Sequence, residues 1–130
     1  MMRVIPTKVH GFLDYLVAIV LIASPWLFGF SGASTAGTVS IAVGVFILLY
    51  SLVTNYELGA ARIISMHMHL SLDFLSGVVL SISPWLFGFA KAVYLPHLLI
   101  GPLAIIVSIM TNPFPFGRKK GNVVEQGYGR

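Results

Sequence analysis

His10 and Asp14 stand four residues apart, and His69 and Asp73 repeat the pair at the same spacing. Residues four apart share a face of a helix, so each imidazole can meet its own carboxylate. Imidazole nitrogens and carboxylate oxygens are the side-chain atoms that carry protons near neutral pH and ligate metal ions. Two arrangements follow. Each aspartate can be satisfied locally by its histidine, the polar pairs then gluing membrane helices together. If instead the helices carrying the pairs face each other, all four groups converge and can hold a cation or relay protons, the carboxylates titrating as a coupled pair. The run Met66-His67-Met68-His69 mixes thioether and imidazole, donors that suit copper(I). His10 and His69 could instead ligate one haem from opposite helices, although no haem-attachment motif accompanies them. No cofactor is predicted, with metal and haem as the alternatives. His97 is expected to be a packed or interfacial histidine. Cysteine is absent, which removes disulfides, thiol nucleophiles and thiolate metal sites.

The elements that would carry these residues belong in lipid. Hydrophobic residues make up 57% of the 130, charged residues only 9%, and the mean hydropathy is +0.91. A soluble domain carries roughly 25% charged residues, so this chain cannot cover a water-facing surface. Four apolar stretches, about 9–30, 38–54, 69–89 and 94–111, have the length needed to cross a hydrocarbon core about 30 Å thick. A backbone in lipid must satisfy its own hydrogen bonds, so the stretches are read as helices. The first has a basic start like a secretory leader, but Pro25-Trp26 stands where small residues would be needed, and the segment recurs internally. Counting about 1.5 Å per residue back from Phe28 puts Asp14 about 21 Å away, roughly 9 Å inside the opposite boundary. An aspartate at the centre of a membrane helix costs about 2.5–3.5 kcal/mol, and apolar patterning does not explain two of them.

The chain is written twice. Residues 10–30, HGFLDYLVAIVLIASPWLFGF, and 69–89, HLSLDFLSGVVLSISPWLFGF, are identical at thirteen of twenty-one positions, an offset of 59. The match resumes at an offset of 57, where Gly44, Ser51, Thr54 and Asn55 answer Gly101, Ser108, Thr111 and Asn112. A two-helix unit leaves the membrane on the side where it entered, so its two copies run in like orientation. The predicted fold is all-α: a polytopic membrane protein of four transmembrane helices formed by two parallel-orientation two-helix repeats. The segments are 1–8, a cytoplasmic N-terminal stretch; 9–55, the first repeat; 56–68, a cytoplasmic loop with a candidate interfacial helix; 69–112, the second repeat; and 113–130, a basic cytoplasmic tail. Seven Lys and Arg residues fall on one side and only Lys91 on the other, which puts both termini and the middle loop in the cytoplasm and the protein in the cell (inner) membrane.

Ser24-Pro25-Trp26 and Ser83-Pro84-Trp85, one in the first helix of each repeat, resemble the SPW repeat family of small integral membrane proteins. The resemblance covers about 10–55 and 69–112 and implies a membrane location and a two-unit architecture, with no catalytic residues to carry over. In each motif the proline cannot donate to the carbonyl four residues back, so the helix is expected to kink or end there. The serine hydroxyl is expected to help satisfy the freed carbonyl. Trp26, Phe28 and Phe30 are read as interfacial anchors, and Gly29 and Gly88 as the turn into the loop. Ser40 and Gly44 are read as a small-residue packing pair. In the tail, Pro113 and Pro115 stop the last helix, and Arg118, Lys119 and Lys120 are candidate contacts to anionic lipid headgroups.

The chain shows no nucleophile–base pair, glycine-rich phosphate loop or carboxylate pair outside the membrane, which points away from an enzyme. Its basic residues flank membrane spans and are no nucleic-acid footprint. The leading expectation is a non-enzymatic membrane module acting through helix packing or association, with lipid, a second copy or a membrane-protein partner. The alternatives are a small transport, ion-binding or proton-handling protein using His10, Asp14, His69 and Asp73, and a metal or haem redox protein.

Overall fold

The computed structural model describes residues 3–32 and 34–117. Four helices account for most of them: α1 (Thr7–Leu27), α2 (Thr35–Leu52), α3 (Met66–Leu86) and α4 (Leu95–Met110). The first three are long and apolar enough to cross a membrane, and α4, with 16 residues, is shorter. At about 1.5 Å per residue α1 and α3 reach roughly 31 Å, the thickness of a hydrocarbon core. The chain is an all-helical membrane protein. Arg118, Lys119 and Lys120 lie outside the described residues.

Helix α1 packs mainly on α2 and α3 on α4, and the two hairpins meet through α2–α3 and α1–α4. Small residues set the closeness of each hairpin. A methyl group on Gly44 would fall 2.9 Å from the Ala18 carbonyl of α1, and one on Gly77 would fall 2.7 Å from the Gly101 carbonyl of α4. Ala18 and Gly77 are equivalent in the repeat, as are Gly44 and Gly101. The same crossing has therefore been built twice. Leu21, Ile47, Tyr50 and Leu80 fill the space between the hairpins.

Neither proline ends its helix at once. Pro25 and Pro84 lie inside α1 and α3, which run on to Leu27 and Leu86. The carbonyls they leave unpaired belong to Leu21 and Leu80. Ser24 and Ser83 donate to those carbonyls at 2.8 Å each, so the motif carries its own repair. Ser24 Oγ also lies within hydrogen-bond distance of Ser40 Oγ across the hairpin, at 2.9 Å. Trp26 and Trp85 point outward, and Gly29 and Gly88 share a φ of +74°, which glycine adopts without strain.

The candidate interfacial helix of the middle loop is not formed. Residues 57–65 are turns and extended chain, and α3 starts at Met66. Backbone groups hold this stretch instead: Ala60 and Ala61 donate to Leu52, and Ile63 and Ile64 donate to Val53. The loop thereby closes the end of α2, which leaves too few consecutive residues for an amphipathic helix.

Glu57 ties three segments together at this end. Its carboxylate accepts from Thr7 Oγ1 at 2.6 Å and from the Phe116 amide at 2.7 Å. Partial burial pushes the Glu57 carboxyl up, but those hydrogen bonds and the Lys8 charge outweigh it and leave its pKa lowered. A carboxylate with a lowered folded pKa contributes stability above its unfolded pKa and loses it as pH falls through the folded value. Acidification below about pH 4.5, the ordinary glutamate value, is therefore expected to release residues 113–117. Hydrogen exchange at the Phe116 amide should speed up on acidification relative to the intrinsic rate, and Glu57→Gln should remove most of that dependence.

Candidate functional site

Two copies of one backbone device bring the ends of the hairpins to the histidines. Ile5, just before α1, donates to the Met110 carbonyl at 3.1 Å and accepts from the Asn112 amide at 2.9 Å. Ile64, its equivalent before α3, donates to Val53 at 3.0 Å and accepts from Asn55 at 2.8 Å. Each isoleucine thus clamps a threonine, Thr111 or Thr54, beside the first turns of the helix that follows. The pairing with Ile5 puts Thr111 in extended conformation (φ −83°, ψ 133°), which ends α4 at Met110.

The clamped threonines fix the histidines. Thr111 Oγ1 lies 2.7 Å from His10 Nδ1, and Thr54 Oγ1 lies 2.8 Å from His69 Nδ1. Each hydroxyl has one proton, which it donates to the carbonyl four residues back, Val107 or Tyr50, at 2.6 Å. The hydroxyl can then only accept from the ring, so Nδ1 of both histidines carries hydrogen. Their Nε2 atoms are left to face the centre of the bundle.

There the two pairs interlock. His10 Nε2 is 2.7 Å from Asp73 Oδ2, and His69 Nε2 is 2.7 Å from Asp14 Oδ2. The pairings within one helix are longer, 3.1 Å for His10–Asp14 and 3.2 Å for His69–Asp73. The two Nε2 atoms are themselves 3.2 Å apart. Each aspartate is thus held by both histidines, with the shorter contact across the helices. All four residues are buried, none more than 7% exposed. The symmetry breaks at one point: the Tyr50 hydroxyl donates to Asp73 Oδ1, and its repeat equivalent is Val107. A cavity of about 70 Å³ opens beside the cluster among residues of all four helices, including Val17, Ile47 and Leu103. It is roomy enough for water.

A neutral imidazole with hydrogen on Nδ1 presents a lone pair at Nε2, and here that lone pair meets a carboxylate oxygen. Two acceptors at 2.7 Å repel unless positive charge lies between them. With both aspartates ionised and both histidines neutral the cluster carries −2, which burial makes costly. Two protons or one divalent cation bring it to zero.

The other sequence-derived candidates do not join this centre. Met66 is buried beside Tyr56 and Leu70, Met68 is exposed, and His67 turns outward to meet the Phe114 ring edge-on at 5.8 Å. Successive residues of a helix point about 100° apart, so the Met/His run does not form a copper site. A haem between His10 and His69 is also ruled out in this arrangement, since 3.2 Å between the nitrogens leaves no room for a macrocycle. His97 is packed, its Nε2 donating to the Ala36 carbonyl at 3.2 Å and its ring lying against Phe89.

Thr54, Thr111 and Tyr50 were not among the sequence candidates. The first two answer each other at the offset of 57, a signal that marks them but says nothing about which histidine they would meet. Tyr50 has no repeat partner and left no trace. Among curated proteins and solved structures none matches the chain. A model of the SPW repeat domain matches residues 8–111, the span that contains both motifs, both His/Asp pairs and both clamped threonines. The chain belongs to the SPW repeat domain family.

Proposed function

We propose that this protein is a small non-enzymatic membrane protein that holds and exchanges an ion, a proton or a metal cation, at the cluster of His10, Asp14, His69 and Asp73. The observation that carries this reading is the meeting of two Nε2 atoms with two carboxylate oxygens under threonines that fix the rings. Helix packing alone needs only one donor per acceptor. It does not explain an interlocked arrangement whose charge is balanced only when two positive charges enter. Lipid is the partner this reading requires.

The protein sits in the cell membrane with both ends and the middle loop in the cytoplasm. Arg3, Lys8 and Arg62 support this orientation, because they gather at the end of the bundle where Ile5, Thr54, Ile64 and Thr111 pair, while Lys91 lies at the other. The cluster then lies in the cytoplasmic half of the bundle.

The test is reconstitution of wild type and the Asp14→Asn/Asp73→Asn double variant in liposomes, with folding checked by circular dichroism and gel filtration. Proton flux and cation uptake are expected to fall at least tenfold in the variant. Equal flux and equal uptake by a folded variant would leave the cluster as structural glue and refute the proposal.

A further inference from the structure

We propose that the ion is a divalent transition-metal ion of the Zn²⁺ class, bound tetrahedrally by His10 Nε2, His69 Nε2, Asp14 Oδ2 and Asp73 Oδ2. This deepens the ion-holding reading above and rests on it. The four residues offer one ligand atom each, and those atoms lie within 4.8 Å of one another. Five of the six separations are 2.7, 2.7, 3.1, 3.2 and 3.2 Å. A tetrahedral shell with bonds of about 2.0–2.1 Å has edges of about 3.3–3.4 Å. Seating the ion widens the two 2.7 Å contacts by about 0.6–0.7 Å and sets the two carboxylate oxygens, which lie within 4.8 Å of each other, on the same edge length, and the neighbouring cavity gives them room.

Charge and donor type narrow the choice. The two carboxylates require +2 for neutrality in lipid, so a monovalent ion leaves the site at −1 and a trivalent ion at +1. Calcium takes six to eight oxygens and magnesium an octahedron of oxygens. Two imidazoles with two carboxylates in a four-ligand set suit zinc and its neighbours. The threonines complete the pattern, since a metal-bound imidazole usually donates its other N–H to a fixed acceptor. Thr54 and Thr111 already stand in that place.

Occupancy by protons alone is less well accommodated. With hydrogen on both Nε2 atoms, two imidazolium rings would hold their like charges with nitrogens only 3.2 Å apart. A single ion between them removes that conflict. Exchange is balanced: one M²⁺ enters, the two protons shared by the Nε2 and Oδ2 atoms leave, and the net charge of the site does not change. With four protein ligands the site is closed, as in structural or carrier sites, rather than open for catalysis.

The test uses tag-free full-length protein in detergent, stripped with EDTA. Calorimetric titration with Zn²⁺ is expected to give one site per chain with release of about two protons, read from the dependence of the heat on buffer. Co²⁺ should give the intense visible bands of a tetrahedral centre, and excess Mg²⁺ or Ca²⁺ should not displace it. His69→Gln should weaken Zn²⁺ binding at least 100-fold. Thr54→Val, which leaves all four ligands in place, should weaken it about 10–100-fold, the usual effect of losing the group that orients a ligand. Folded wild type that binds no Zn²⁺, or binds it as tightly after His69→Gln, overturns the assignment. If Zn²⁺ is not bound but Asp14→Asn/Asp73→Asn still abolishes proton flux, the metal assignment fails and the ion-holding reading stands. If neither effect is seen, both fall.

Discussion

Asp73→Ala is expected to destabilise the metal-free protein by about 3–5 kcal/mol, the cost of removing one partner from a buried ion pair. Asp73 is 4% exposed and meets three groups: His10 Nε2, His69 Nε2 and the Tyr50 hydroxyl. Deleting the carboxylate leaves all three short of a partner in a region that water reaches poorly. The Tyr50 hydroxyl adds its own desolvation cost of about 1–3 kcal/mol for a buried polar group left unpaired. Asp14→Ala should cost less, because Asp14 meets the same two rings but no tyrosine at its second oxygen. Thermal or SDS unfolding of both variants in EDTA-containing detergent measures the difference. An Asp73→Ala protein within about 1 kcal/mol of wild type, or one more stable than Asp14→Ala, would mean that the interlocked pairing is not formed in the membrane protein.

Gly101→Leu should be comparably damaging through packing alone. A side chain at Gly101 would run into the Ser81 hydroxyl, the Ser81 amide at 2.7 Å and the Gly77 carbonyl at 2.8 Å. Two of these are helix backbone and cannot step aside, so α3 and α4 must separate. Overpacking a well-packed core costs about 1–3 kcal/mol and more where nothing can yield; here a loss of about 3 kcal/mol or more is expected. The movement carries Thr111 away from His10, so metal affinity should fall along with stability. Gly29→Ala is the contrast, since open space surrounds that position and only its φ of +74° opposes a side chain. Its cost should stay near about 1 kcal/mol. Unfolding of both variants in one detergent decides the comparison, and equal costs would show that close helix approach is unimportant in this fold.

Much of this architecture could be read directly from residue order. Long uncharged runs can only be membrane helices, because lipid offers the backbone no other partner. The duplicated 21-residue segment implies two like-oriented hairpins. Ser24 and Ser83 as donors to carbonyls freed by proline were also legible, since proline, serine and carbonyl all lie within one turn. The middle loop departs from its local pattern: Leu58, Ile63 and Ile64 look like one face of an interfacial helix, but bonds from residues 60, 61, 63 and 64 to Leu52 and Val53 take that backbone instead. Local pattern does not show which distant carbonyl is available.

The same limit separates the two halves of the site. The order of residues determined that His10 and Asp14 share a helix face, that His69 and Asp73 copy them, and that both pairs lie at one depth, because spacing along a helix is a local property. Only the tertiary structure decided that each histidine reaches more closely to the other helix's aspartate than to its own, that Thr54 and Thr111 turn the lone pairs inward, and that Tyr50 singles out Asp73. Those contacts join residues 15 to 101 positions apart. They exist because small residues let the hairpins close and because Ile5 and Ile64 pin the helix ends.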